Sequence, residues 1–273
     1  MTRTRVLTAL ALAVPIVPLI LFLPTTGFAC LVAAIASLAA WEWIALDGGR
    51  SATVIRLTYS LVIIILVLSA GLIRPLWPYV VASALVVWCL LFGAVLVGIK
   101  KATIPSFTAG YALGVGVIVP GPAVLTVIHG LEDGPLLVLT LCIIVWSADV
   151  GAYFVGRNWG RRKLAPAISP GKTLEGTAGG LLASIVSGML CYGLWHTLQT
   201  DTFSSAGIWL IMVIIVSVVS TVGDLVESVV KRNAGQKDSG SLLPGHGGVL
   251  DRIDGLLSAA PTLGIWLIAL GVL

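Results

Sequence analysis

Charge is scarce in this chain. Only 10% of its 273 residues are Asp, Glu, Lys or Arg, against roughly a quarter in an ordinary soluble domain. Apolar residues make up 58% and mean hydropathy is +1.07. No polar stretch is long enough to enclose a core, which excludes a separate soluble domain. Cysteine is scarce too. Cys30, Cys89, Cys142 and Cys191 lie singly inside apolar runs, so they give no disulfide framework and no metal-ligand spacing and read as small packing residues. A Walker phosphate loop is also missing. Gly171-Lys172-Thr173 has Pro166 where that motif needs its first glycine, and no strand-like run leads into it. There is no clear internal repeat.

What the chain has in quantity is long apolar runs. A spanning helix needs about 20 mostly apolar residues. Runs of that kind fall near 6–23, 28–46, 53–73, 78–98, 106–128, 135–155, 175–196, 206–229 and 256–273. The expectation is an all-α, polytopic transmembrane helical bundle of about nine spans. The first run follows Arg3 and Arg5 like a signal peptide, but Phe22-Leu23-Pro24-Thr25-Thr26 is a poor cleavage site, so it reads as a retained helix. Pro24–Gly27 makes a tight turn between the first two spans. Pro120-Gly121-Pro122 predicts a break or kink in the fifth. Gly110, Gly114, Gly116, Gly179 and Gly180 suit close helix packing.

Basic residues sort by side. With the amino terminus in the cytoplasm, Arg3, Arg5, Arg50, Lys100, Lys101, the 157–172 loop and the 231–252 loop share that side, and Arg56 lies near it. Arg74 alone falls opposite, where the loops carry Glu132, Asp133 and Asp201. This is the positive-inside pattern. The two long charged loops, 156–173 and 231–248, are then both cytoplasmic. His129 and His196 read as interfacial residues on the far side.

The scarce charge is concentrated. Between Gly223 and Asp254 lie five acidic and four basic residues, a costly arrangement beside a membrane segment unless it is used. Asp224, Glu227, Ser228 and Lys231 stand at i, i+3, i+4 and i+7, on one face of the eighth span. A lone ion pair there would serve only to lock helices; four polar groups argue for more. Asp251 and Asp254 share a face at the start of the ninth span, where one acid would suffice for capping. If Asp224, Asp251 and Asp254 converge, their oxygens suit a hard divalent cation such as magnesium. Between them, glycines around His246 open backbone amides to an anion, with Lys231, Arg232, Lys237 and Arg252 nearby. A second group lies upstream: Asp149 in the sixth span, then Arg157, Arg161-Arg162-Lys163, Ser169, Lys172, Thr173 and Glu175. A helix entry at Thr173 beside Lys172 suits phosphate. The Arg161–Lys163 run fits topology anchoring and anionic lipid heads as well as it fits substrate contact.

The pattern Ser228-x-x-Lys231-Arg232-x4-Lys237-Asp238-x-Gly240-x-x-Leu243-Pro244-Gly245-His246-Gly247-Gly248-x-x-Asp251-Arg252-x-Asp254 resembles the signature of the phosphatidate cytidylyltransferases, or CDP-diacylglycerol synthases. The sixth span and its loop resemble the same family. They depart from it at Val150, where threonine is common, and at Gly171, where lysine or asparagine is usual. The first 130 residues match only in hydropathy.

The resemblance implies cytidylyl transfer from CTP to phosphatidic acid, giving CDP-diacylglycerol and pyrophosphate for phospholipid biosynthesis. It implies a magnesium requirement, a homodimer, and an integral protein of a bacterial-type plasma membrane with its site facing the cytoplasm. Residues 1–130 would form the scaffold and lipid access, and 131–273 the catalytic region. Asp224, Lys237, Asp238, His246, Asp251, Arg252 and Asp254 are the expected catalytic group, with Asp224, Asp251 and Asp254 as metal ligands. Asp149, Ser169, Lys172, Thr173, Glu175, Glu227, Ser228, Lys231, Arg232, Gly247 and Gly248 are the expected substrate-binding group. The alternatives are a transporter of an anionic solute, or a CTP-dependent enzyme acting on another lipid phosphate. Transporter sites gather near the midplane on broken helices, whereas these charges gather at span ends and loops.

Overall fold

The computed structural model describes residues 14–46, 52–107, 109–197, 205–242 and 247–273. Arg3, Arg5, Arg50, Asp201 and His246 lie outside the described residues. The described chain is helical almost throughout. Helix α1 covers residues 14–22. It is followed by α2 (Thr25–Ala45), α3 (Thr53–Leu72), a short 3-10 turn (Arg74–Leu76), α4 (Trp77–Lys101), α5 (Tyr111–Ile118), α6 (Pro120–His129) and α7 (Gly134–Trp159). Two short strands, β1 (Lys163–Ala165) and β2 (Ser169–Thr173), precede α8 (Leu174–Thr197), α9 (Ala206–Asn233) and α10 (Leu250–Ala269).

Seven stretches are long and apolar enough to cross a membrane: α2, α3, α4, α5 with α6, α7, α8 and α9. They coincide with the second to eighth runs expected from hydropathy. The predicted break in the fifth falls at Val119, between α5 and α6. Pro120 has no N–H to continue the ladder. Gly121 then lies against the backbone of Leu257 in α10, where an added Cβ would sit 3.1 Å from its Cα. Helix α10 carries Asp251, Arg252 and Asp254 in its first turns, so its hydropathy is diluted at the end that matters here.

Outward faces are apolar, as lipid contact requires. Phe22, Leu57, Ile65, Leu90, Leu182 and Leu190 are all exposed. Between helices lipid provides no hydrophobic gain, so close contact and dispersion decide packing. In α2 the alanines 29, 33, 36 and 40 form a wholly buried stripe. The α7–α8 contact is closer still. A Cβ on Gly180 would press on the Ala148 carbonyl, and one on Gly151 would lie 2.6 Å from Ala183 Cβ.

His129 ends the fifth span, as expected, but its side chain points inward. It is buried, stacked on Phe28 at 4.2 Å, with Nε2 2.9 Å from the Ile20 carbonyl. It pins the α1–α2 turn to α6. The segment expected as an open loop, 156–173, contains an antiparallel hairpin pairing Lys163 with Thr173 and Ala165 with Ser169. All four free cysteines are single; Cys142 and Cys191 are buried, while Cys30 and Cys89 are exposed on apolar helices.

Candidate active site

One end of the bundle gathers the charge. Helix α9 reaches it with its last three turns, α10 with its first two, α8 with its start, α7 with its final half and α2 with its end. Asp224 lies nine residues before the end of α9, so it sits ~14 Å deep along the helix axis.

Gly223 makes the α9–α10 meeting possible. A Cβ there would collide with Ser258 Oγ and lie 2.6 Å from the Asp254 carbonyl. Ser258 Oγ donates to the Val219 carbonyl at 3.0 Å. With the two backbones this close, Asp224, Glu227 and Asp254 each bring one carboxylate oxygen within 4.8 Å of the others.

Two ammonium groups partly balance these acids. Lys172 Nζ reaches Asp224 Oδ2 at 2.7 Å, crossing from β2 to α9. Lys231 Nζ lies 2.9 Å from Glu227 Oε2 and 2.5 Å from Asp251 Oδ1, with all three side chains buried. With every group ionised, four carboxylates and two ammoniums leave two negative charges. Asp254 makes no ion pair among the described residues; its Oδ1 accepts from the Gly255 amide at 2.6 Å.

The donor set fits a divalent cation. Glu227 Oε1 is buried with no hydrogen-bond donor, and its neighbours across the gap are other carboxylates. Acceptors facing acceptors in a dry site need a proton or a cation between them. Oxygen-only ligands and an uncompensated charge of two match a hard divalent ion. Below the acids, Trp43, Trp88, Val117 and Leu257 line a small apolar cavity. Apolar walls on that side lower the local dielectric and strengthen the electrostatics of the acids.

The acids that cluster differ in one member from the three expected to converge. Asp251 was expected among the cation ligands, with Glu227 in support. The carboxylate of Asp251 instead accepts from the amides of Ser239 at 3.0 Å and Gly248 at 2.8 Å, besides Lys231. Glu227 is the third acid of the cluster. One helical turn separates the two acids of α10, and the loop before it captures the earlier one.

The remaining expected residues divide into two sets. Ser228 Oγ lies 3.4 Å from Asp224 Oδ1. Asp149 stands within electrostatic reach of Asp224, Lys172 and Arg252. Lys237, Asp238 and Arg252 are exposed, and the two cations among them are open to an incoming anion. Gly247 takes φ +77°, the left-handed region that favours glycine. A Cβ there would also lie 2.7 Å from Asp251 Oδ2. The others build the frame. Glu175 accepts from the amides of Arg161 and Arg162, each at 3.0 Å, and from Arg162 Nε, closing the hairpin onto α8. Thr173 Oγ1 accepts from the Gly176 amide. Ser169 pairs in the hairpin, and Arg232 Nε reaches the Ile168 carbonyl at 3.4 Å, tying that hairpin to α9.

Sequence reasoning missed Glu42. It lies buried near the end of α2 and reaches the loop before α10. An ionisable residue inside an apolar run is itself a signal, and Ala39-Ala40-Trp41-Glu42-Trp43-Ile44 carries it.

Residues 3–270 match the model of the Cytidylyltransferase family. A phosphatidate cytidylyltransferase of Pseudomonas aeruginosa is 38% identical over 280 aligned positions, covering 99% of this chain and 98% of that protein. Proteins of the same name from Haemophilus influenzae and Bacillus subtilis are 46% and 44% identical, each over 133 positions. Those alignments cover 49% and 48% of this chain, and 46% and 47% of the relatives. With a family match running nearly from one end to the other and a relative aligned over almost its whole length, the chain belongs to the Cytidylyltransferase family.

Proposed function

We infer that this chain transfers a cytidylyl group from CTP to phosphatidate, giving CDP-diacylglycerol and pyrophosphate for phospholipid synthesis. Family membership supports the reaction. The observation that carries the site is the triad of Asp224, Glu227 and Asp254 beside Lys172 and Lys231.

Both substrates are anions, and that is the main obstacle. A phosphate oxygen of phosphatidate forms a bond to the α-phosphorus of CTP as the bond to the α–β bridging oxygen breaks. Pyrophosphate leaves with the electron pair. The attacking phosphate is already ionised near neutral pH, so the site has little proton abstraction to perform. Positioning and charge stabilisation carry the rate. Asp224, Glu227 and Asp254 would hold magnesium, which when bound offsets charge on the triphosphate and the departing pyrophosphate. Arg252, Lys237 and Arg232 stand at the rim to receive phosphates. Lys172 and Lys231 hold the acids in register, and Asp149 extends the negative wall towards Lys172 and Arg252.

The site sits at the same end of the bundle as the basic loops, which supports a cytoplasmic orientation in a bacterial plasma membrane. Soluble CTP then enters from water and the diacyl lipid from the side. Residues 1–130 act as scaffold with Glu42 as their contribution, and 131–273 as the catalytic region. The functional unit is a homodimer.

The test is direct. Purified protein in detergent is given labelled CTP and phosphatidic acid, with and without magnesium. Labelled CDP-diacylglycerol and free pyrophosphate are expected only with the metal. Absence of product under every divalent cation would refute the assignment.

A further inference from the structure

Glu42 is separated by 197 to 208 residues from the groups it holds. Its carboxylate is 2% exposed. Oε1 accepts from the Val249 amide at 3.0 Å, and Oε2 accepts from the Leu250 amide at 2.8 Å. Val249 is the N-cap position of α10 and supplies no side-chain cap. A distant helix therefore caps α10, placing a carboxylate at the positive end of its dipole.

The same carboxylate governs the loop. Ser239 Oγ lies 3.0 Å from Glu42 Oε2 and 3.0 Å from Asp251 Oδ2. A hydroxyl has one proton, so Ser239 links the two carboxylates while donating to one at a time. Glu42 and Asp251 thus tie Ser239 to the Gly248–Leu250 turn. Two glycines of the signature answer to these contacts. A Cβ on Gly240 would lie 2.5 Å from Glu42 Oε1, and one on Gly248 would collide with Ser239 Oγ and Glu42 Oε2. Among the described residues no Lys or Arg forms an ion pair with Glu42. Its partners all belong to the loop and to the first turn of α10.

We propose that Glu42 is a positioning residue for the transfer reaction. It sets the start of α10, and through that turn it sets where Asp251 and Asp254 stand relative to α9. Glu42 touches no reacting atom in this scheme. The proposal rests on the reading of the acid triad as the transfer site.

Glu42→Gln tests it. The amide is isosteric, but it turns one acceptor into a donor facing a backbone N–H. Glu42→Asp keeps the charge one methylene short. Three readouts are taken on full-length protein in detergent: hydrogen exchange of residues 239–250, binding of Mn2+ alone followed by electron paramagnetic resonance, and turnover. With Glu42→Gln, exchange in that segment should quicken, Mn2+ should bind about tenfold more weakly, and turnover per folded molecule should fall about tenfold or more. Glu42→Asp should fall between. Wild-type exchange and Mn2+ binding in Glu42→Gln would overturn the proposal. So would lost turnover with both unchanged, since the effect would then run by another route. If Glu42→Gln does not fold, Ser239→Ala replaces it, with the same pattern expected in weaker form and a wild-type pattern overturning it. Exchange and Mn2+ binding need no turnover, so failure of the cytidylyltransferase reading shows separately as an inactive wild type.

Discussion

Replacing Lys231 by Met should unbalance the acid cluster more than any other single change. Lys231 Nζ contacts Glu227 and Asp251 at once, and the side chains of the three residues are 11%, 4% and 8% exposed. Met keeps most of the length and apolar volume, so the perturbation is mainly the loss of charge. The uncompensated charge then rises from two to three, in a site backed by Trp43 and Trp88. Breaking a buried pair by removing one partner costs about 3–5 kcal/mol, because the other charge stays behind. For a chain of this size that is a fall of very roughly 6–20 °C in melting midpoint. The assay is thermal unfolding in detergent at neutral pH. Glu227→Gln in the Lys231→Met background supplies the control. It removes one of the stranded carboxylates and should recover part of the loss, giving a coupling of about 1–3 kcal/mol. A single variant that melts like wild type would refute the reasoning, and so would strict additivity in the double variant. Either result would mean that the acids are neutralised by something other than Lys231.

Asp254→Asn and Asp251→Asn should both suppress turnover but differ in kind. The first should abolish the response to magnesium, while the second should quicken hydrogen exchange at Ser239 and Gly248 and leave Mn2+ binding closer to wild type. Indistinguishable behaviour would dissolve the division between ligand and loop anchor. Gly223→Val should force α9 and α10 apart, costing about 1–3 kcal/mol and nearly all activity; an active, stable variant in detergent assays would rule out the close approach. His129→Ala should lower the melting midpoint through the lost stacking and hydrogen bond, about 1–3 kcal/mol, with turnover per folded molecule unchanged. A cysteine at the exposed Gln236 should react with impermeant reagent only from the cytoplasmic side, and labelling of intact cells would reverse the proposed orientation.

Hydropathy made the seven long apolar helices legible, because lipid leaves few alternatives to an internally bonded helix. The polar face of α9 was legible for the same kind of reason: residues three and four apart must lie together on a helix. The meeting of α9 with α10 was half visible. Both acid pairs were found, but which acids share a centre depends on Gly223 and on how the intervening loop closes, and spacing says nothing of either. The 163–173 hairpin escaped because Pro166, Pro170 and Gly171 read as loop. Its pairing is braced by tertiary contacts from Glu175 and Arg232. Glu42 escaped because its partners are 197 to 208 residues away, although its place inside an apolar run marked it as unusual.

The long reach of Glu42 bears on how the protein is made. Helix α2 is synthesised early, whereas the amides that receive its carboxylate belong to the last helix described. During synthesis Glu42 therefore enters the bilayer boundary without its eventual partners. A centrally placed ionised side chain costs about 2.5–3.5 kcal/mol on insertion scales, and a position near the end of α2 lessens that penalty by keeping water within reach. Docking of α10 then does two things in one event: it relieves an early strain of assembly and completes the acid triad. A nascent chain caught before that step carries neither a finished acid cluster nor a satisfied Glu42.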